Sequence, residues 1–347
     1  MTTQRRALRN VAIIAHVDHG KTTLIDVLLR QSGAFRENQR VAERVMDSND
    51  LEKERGITIL AKVTSIEWQS DQTPPTRINI VDTPGPADFG GEVERILNMV
   101  DGAVVLVDAA EGPMPQTKFV VGKALKMGLR PIVAVNKIDK PEERHEEVID
   151  EVFELFDALG ADDEQLDFPI LYGSAKNGWM SLDPASGASD MGPLLDLIVA
   201  HVPEPAVEEG EFKMLATTIE ADNFLGRILT GRVTSGTVQP NQTVRALSRS
   251  GELVEQGRVS KVLAFRGLER TPIDEGRAGD IIALSGLQKA TVADTIAAPS
   301  IKTAIPAQPI DPPTLAMTFR VNDSLNANLQ KRICLRVANE VLVPEQD

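Results

Sequence analysis

The first two hundred positions alternate short unbroken apolar runs with longer stretches whose apolar residues recur at three- and four-residue spacing. The runs at 11–15, 78–81, 103–107, 132–135 and 170–172 are rich in β-branched residues and bounded by Gly, Pro, Asn or Asp. Continuous apolarity of this kind predicts strands covered on both faces, as in a parallel sheet. Between them, 22–30 carries Leu24, Ile25, Leu28 and Leu29, and 146–159 carries Val148, Val152, Leu155, Phe156 and Leu159. The stretch 191–201 does the same with Leu194, Leu195 and Ile198. Strand–helix alternation predicts a doubly wound α/β domain. The more polar segment 57–68 reads as an additional strand at the sheet edge.

After His201 the pattern changes. Val202-Pro203-Glu204-Pro205 and Glu208-Glu209-Gly210-Glu211 have linker composition. From 212 to about 302 short alternating runs are split by turns, among them Gly231-Arg232-Val233-Thr234-Ser235-Gly236-Thr237-Val238. They predict an all-β barrel. A Pro-rich break at 305–313 precedes 314–321, which reads as one strand. In the tail, Leu325, Leu329, Ile333, Val337 and Val341 recur every four residues, a helical spacing. The expected organisation is an α/β domain over 1–204, a β-barrel over 205–304 and a short segment over 305–347.

Composition narrows the class. The chain is 42% hydrophobic and 25% charged, which excludes a disordered or fibrous protein. Lys and Arg number 37 against 51 Asp and Glu, a formal charge of −14. That balance argues against a DNA partner, while leaving room for docking on a ribonucleoprotein through a local patch. The single cysteine, Cys334, excludes an intramolecular disulfide and a multi-cysteine metal site. The basic start, residues 1–9, runs into a strand instead of a signal h-region, and no apolar run approaches the ~20 residues that span a bilayer. A cytoplasmic protein with no membrane partner is expected.

Four short motifs carry candidate chemistry. Ala15-His16-Val17-Asp18-His19-Gly20-Lys21-Thr22 has phosphate-loop spacing, with Ala where the usual pattern begins with Gly, and lies between a predicted strand and a predicted helix. Backbone N–H groups of such a loop converge on a phosphate at the helix N-terminus. Gly20 permits close approach, Lys21 supplies a positive charge and Thr22 offers a hydroxyl to Mg²⁺. Asp82-Thr83-Pro84-Gly85 follows the run 78–81, where a carboxylate can hold the magnesium shell and the Gly85 N–H can face a γ-phosphate. Asn136-Lys137-Ile138-Asp139 follows the run 132–135. Guanine presents two donors on the edge where adenine offers an acceptor and a C–H, so Asp139 selects guanine. Ser174-Ala175-Lys176 follows 170–172, and its backbone is placed to read guanine O6. Any one of the last three alone would be an ordinary turn. Their order, each at the C-terminal end of a predicted strand, points to a guanine-nucleotide site.

These motifs, with Thr23 after the phosphate loop and Arg55-Gly56-Ile57-Thr58-Ile59, resemble the translation-factor GTPases. The segments 46–59 and 87–95 narrow the resemblance to the TypA/BipA family, ribosome-associated relatives of elongation factor G and LepA. The likeness covers about 8–323. It implies a P-loop GTPase domain followed by a β-barrel second domain, with GTP or GDP and Mg²⁺ as ligands. It implies GTP hydrolysis on the ribosome, with rRNA and ribosomal proteins as partners. It further implies that Thr58 closes on magnesium and γ-phosphate, that Asp18 helps place a monovalent cation, and that Val17 and Ile57 flank the attacking water.

Two departures stand out. The family carries His after Asp-Thr-Pro-Gly, where this chain has Pro86, which puts the catalytic role of that position in doubt. The match fades after Asp323, and 306–347 is too short for a ferredoxin-like domain of two βαβ units of about 30 residues each. The tail is expected to be an incomplete or altered third domain, with ribosome association weakened accordingly. Two other classes are set beside the GTPase: a nucleotide-switched binding module with negligible hydrolysis, and an ATP-dependent small-molecule kinase, which Asp139 disfavours.

Overall fold

The computed structural model describes residues 7–33, 61–84, 90–185, 188–267, 269–308, 317–321 and 333–337. Seven strands form the first sheet: β1 Ala7–Ala15, β2 Lys62–Trp68, β3 Thr76–Asp82, β4 Gly102–Asp108, β5 Arg130–Asn136, β6 Ile170–Ser174 and β7 Trp179–Ser181. Their order is β2-β3-β1-β4-β5-β6-β7. The central pairs are parallel, and the two edge strands β2 and β7 run antiparallel to their neighbours. The polar edge strand expected from 57–68 is thus β2 over its described part.

Both faces of this sheet are covered, and the side chains divide with period two. Val11, Ile13 and Ala15 of β1, with Val104 and Leu106 of β4, pack under α1 (Lys21–Gln31). Leu194, Leu195 and Ile198 join the same layer. On the opposite face Ala12, Ile14, Val105 and Val107 pack with Val93, Val121, Val148 and Val152. These come from α2 (Gly90–Leu97), α3 (Pro115–Lys126) and α4 (His145–Ala158). A short α5 (Asp163–Leu166), opened by a capping box between Asp162 and Gln165, and α6 (Gly192–His201) complete the helices among the described residues.

Eight strands build the second sheet: β8 Lys213–Asp222, β9 Gly226–Ser235, β11 Thr243–Leu247, β12 Leu253–Arg258, β13 Lys261–Arg266, β14 Glu269–Ile273, β16 Ile281–Ser285 and β17 Thr295–Ala297. They run antiparallel in the order β12-β11-β17-β8-β9-β16-β13-β14. The short β10 (Thr237–Val238) and β15 (Gly276–Arg277) pair separately. Met214, Leu229, Val244, Val262, Ile282 and Ile296 from six strands enclose one apolar core, the barrel arrangement expected from the turn spacing.

Three of these strands are apolar on their other face as well. Ile228, Leu263, Phe265, Ile281 and Ala283 belong to the apolar layer that contains α2, α3 and α4. The runs at 262–265 and 281–284 are continuous for the same reason as the parallel strands: each lies between two packed layers. Residues 1–308 accordingly form one compact unit.

The unit 309–347 contains β18 (Met317–Val321) and β19 (Ile333–Val337), paired antiparallel with Met317 opposite Val337. The helical spacing of the tail is therefore corrected over 333–337. A repeat of four is also a multiple of two, so Ile333 and Val337 fall on one face of a strand as readily as on one face of a helix.

Candidate functional site

The loops that leave the C-terminal ends of β1, β3, β5 and β6 meet at one edge of the parallel sheet, where open α/β sheets bind ligands. The first, between β1 and α1, turns sharply. Asp18 sits at φ 65° and Gly20 at φ 98°, the left-handed region. A Cβ on Gly20 would stand 2.5 Å from Asn136 Nδ2, so only glycine fits. Gly20 caps α1, whose first turn carries Lys21, Thr22 and an exposed Thr23, so its free N–H groups and dipole favour an anion.

Lys21 Nζ lies 2.7 Å from Asp82 Oδ1 at the end of β3 and donates to the Thr83 carbonyl. Asp82 is fully buried and Lys21 is 8% exposed, so this ion pair sits at the floor of the edge and not on its rim. Thr83 Oγ1 donates to Ile13 O at 2.8 Å, fixing the β3 loop against β1.

Asn136 joins three loops. Its Nδ2 donates to His19 O at 2.8 Å, and its Oδ1 accepts from Ala175 N at 2.8 Å. Lys137, at φ 66°, donates from Nζ to Asp18 O at 2.7 Å. Ile138 N donates to Gly173 O at 3.2 Å. Asp139 is exposed and accepts from Asn177 Nδ2 at 3.2 Å, while Asn177 N donates to Ser174 Oγ at 3.3 Å. Ser174 and Ala175 are buried and Lys176 is exposed. Asn177 has no motif of its own; its place one residue beyond Ser174-Ala175-Lys176 is the only signal in the sequence.

Beneath the phosphate loop lies His19, completely buried. Its Nδ1 is 3.4 Å from both Leu106 O and Asp108 N, and its Nε2 is 3.3 Å from Glu111 Oε2. Burial holds the imidazole below its ordinary 6.5, with His16 pushing the same way. The Leu106 carbonyl and the Asp108 and Glu111 carboxylates pull back without restoring it. His19 is therefore a neutral part of the loop's floor.

The edge brings together Asp18, His19, Gly20, Lys21, Thr22, Thr23, Asp82, Asn136, Lys137, Ile138, Asp139, Ser174, Ala175 and Lys176. Thr58, Gly85, Pro86 and Ile57 lie outside the described residues. Among the described residues no group of three or more His, Cys, Asp or Glu is arranged to hold a metal. The Thr22 hydroxyl and the buried Asp82 carboxylate are hard oxygen donors near the N-terminal end of α1. They fit a nucleotide-bound Mg²⁺, which takes one or two protein oxygens beside phosphate and water. No helix among the described residues is long and apolar enough to cross a membrane.

Residues 6–204 match the elongation factor Tu GTP binding domain, and 226–297 match elongation factor Tu domain 2. The large ribosomal subunit assembly factor BipA of Synechocystis sp. is 49% identical over 95% of this chain and 58% of its own length. The protein of that name from Salmonella typhimurium is 54% identical, over 91% of this chain and 51% of its own. The Haemophilus influenzae one is 53% identical, over 92% and 51%. The chain thus spans about half the length of these curated relatives. A solved structure from Thermus thermophilus shares the fold, with a TM-score of 0.67 and 18% identity over 91% of this chain and 58% of that one.

Proposed function

The chain belongs to the family of GTPases built on the elongation factor Tu GTP-binding domain, and from that premise we propose that it binds GTP and GDP with Mg²⁺ and hydrolyses GTP on the ribosome. The observation that supports this best is Asn136, which ties the phosphate loop at His19 to the Ser174–Lys176 segment while Gly20 packs directly against it. Phosphate-binding and base-reading loops are thereby held as one surface. The relatives named as large ribosomal subunit assembly factors support a ribosomal partner, and with it a cytoplasmic location. In this reading 1–204 is the GTP-binding domain, 205–304 the β-barrel and 305–347 the start of a third domain.

Backbone amides of 18–23 and the Lys21 ammonium hold the phosphates. Thr22 and Asp82, with Thr58 from the segment outside the described residues, would hold the metal. A Mg²⁺ ion held there would supply positive charge to offset the charge of the nucleotide's phosphates. Asp139, oriented by Asn177, accepts the two guanine donors, and the backbone of Ser174–Lys176 faces O6. Asp18, exposed and strained at the loop's turn, is the group nearest in kind to a monovalent-cation ligand. Gly85 supplies an amide to the γ-phosphate.

A second reading rests on one sequence observation. Pro86 stands where the family places the histidine that orients water, and proline has neither a polar side chain nor a backbone N–H. Nucleotide binding uses other residues, so the stimulated chemical step alone is impaired and the chain acts mainly as a nucleotide-switched binding module. Single-turnover GTP hydrolysis with and without ribosomes tests both. The first reading expects acceleration by ribosomes. The second expects little acceleration until Pro86→His restores roughly 10²–10⁴ in rate, the usual range for a proton-handling group. GTP affinity that stays the same while Pro86→His changes nothing would remove the position from catalysis.

A further inference from the structure

Asp108, at the end of β4, belongs to none of the four motifs, yet its carboxylate lies against the site. Register places Asp108 directly beside Asn136, and Ala109 N donates to Asn136 O at 2.8 Å. One carboxylate oxygen accepts from Ala110 N at 2.8 Å and from Glu111 N at 3.4 Å. The other lies 2.5 Å from Lys137 Nζ. The same ammonium donates to Asp18 O in the phosphate loop. Asp108 is 1% exposed and Lys137 is 22% exposed.

A solvated lysine head would be free to leave Asp18, since its chain is long and its rotamers many. Here the carboxylate is anchored by two backbone amides before it meets the lysine, so one end of the pair is fixed in advance. Both residues that the ammonium connects, Asp18 and Lys137, hold left-handed backbone, which is strained for a non-glycine residue and persists only where the surroundings fix it. The pair also cancels a buried negative charge that would otherwise face a phosphate-binding loop.

Building on the nucleotide site proposed above, we infer that Asp108 is a positioning residue for it. Asp108 holds the Lys137 ammonium on the Asp18 carbonyl and so locks the phosphate loop to the base-reading loop. It acts through Lys137 and touches no substrate.

The test is a double-mutant cycle on release of fluorescent GDP, measured by stopped flow on the full chain. Asp108→Asn keeps shape and removes charge, and is expected to speed release roughly tenfold, the scale of one charged hydrogen bond. In a Lys137→Met background the same substitution is expected to change release less than about twofold, because its partner is gone. A merely structural role would give equal increments in both backgrounds, and that result, or no effect in either, overturns the inference. Hydrogen exchange of the amides at 17–20 without nucleotide provides the second arm. Faster exchange in Asp108→Asn, matching Lys137→Met, is expected; unchanged protection contradicts the lock. If the chain binds no GDP, the nucleotide-site reading fails, while the exchange arm still decides whether Asp108 fixes the loop.

Discussion

The two ends of the parallel sheet use polar residues in opposite ways. At the C-terminal edge, polar side chains join loops to one another and leave Thr23, at the N-terminus of α1, and Asp139 exposed. Around the N-terminal halves of the strands, polar groups are matched to each other and to the β-rich region. Asn79 Nδ2 donates to Asn10 Oδ1 at 2.8 Å, and Asn10 Nδ2 donates to Gly279 O at 3.0 Å. Arg232 pairs with Asp101 at 2.8 Å, and Arg77 pairs with Asp280. Beside this network Leu263, Phe265 and Ile281 complete an apolar seam, and Thr64 Oγ1 donates to Gly267 O from the edge strand. Satisfied polarity of this sort fixes a unique junction, whereas polarity left open to one side makes a site.

The contrast predicts that damage at each end stays at that end. At the junction, Arg232→Met strands the Asp101 carboxylate, which burial already pushes above its ordinary range while Arg232 and Asn10 hold it down. Asp101 and Arg232 are 11% and 12% exposed, and breaking one partner of a buried pair costs about 3–5 kcal/mol. Chemical denaturation should show a loss of that size with GDP affinity of the folded protein unchanged. A matching fall in affinity at full folding would mean that the two ends are coupled, and the comparison would break.

A smaller effect is expected at the site edge. Burial depresses the His19 imidazole below 6.5, so the folded chain prefers it neutral. The stabilisation is present above the unfolded value and is lost as pH falls from there through the folded one. A single proton bounds the slope at about 1.4 kcal/mol per pH unit. His201, also pushed down by burial, contributes in the same direction, so the difference between wild type and His19→Gln isolates the loop. Denaturation between about pH 7.5 and 5.5 should show a shallower pH slope in the variant. Equal slopes would place His19 outside the titrating set.

Legibility in the sequence follows the same division. The loops of the sheet edge are legible because each carries a short motif after an apolar run, and those runs are continuous because both faces are buried. The strands at 11–15, 103–107 and 132–135 were found for that reason and extend by one to four residues at their ends. Asn10 and Arg232 gave no such signal, since their partners lie 69 to 269 and 131 positions away. Asp108 and Asn177 were missed at the site itself for the same reason, as an Asp after a strand and an Asn in a turn are ordinary locally. The helices at Gly90–Leu97 and Pro115–Lys126 were not marked out either. The first is only eight residues long, and the second opens on a proline, which suits a helix start as well as a loop. In the tail a four-residue spacing fits helix and strand alike, and the described residues 333–337 are strand.

The central claim is that the edge joined by Asn136 is a guanine-nucleotide site read by Asp139. Equilibrium titration of the wild-type chain and of Asp139→Asn with GTP, XTP and ATP, each with Mg²⁺, tests it most directly. XTP carries a C2 carbonyl that can accept from the amide introduced at 139, while GTP loses its carboxylate partner. The account predicts that the wild type prefers GTP over both other nucleotides and that Asp139→Asn transfers the preference to XTP. ATP binding as tightly as GTP to the wild type, or a nucleotide preference unmoved by the substitution, would contradict it.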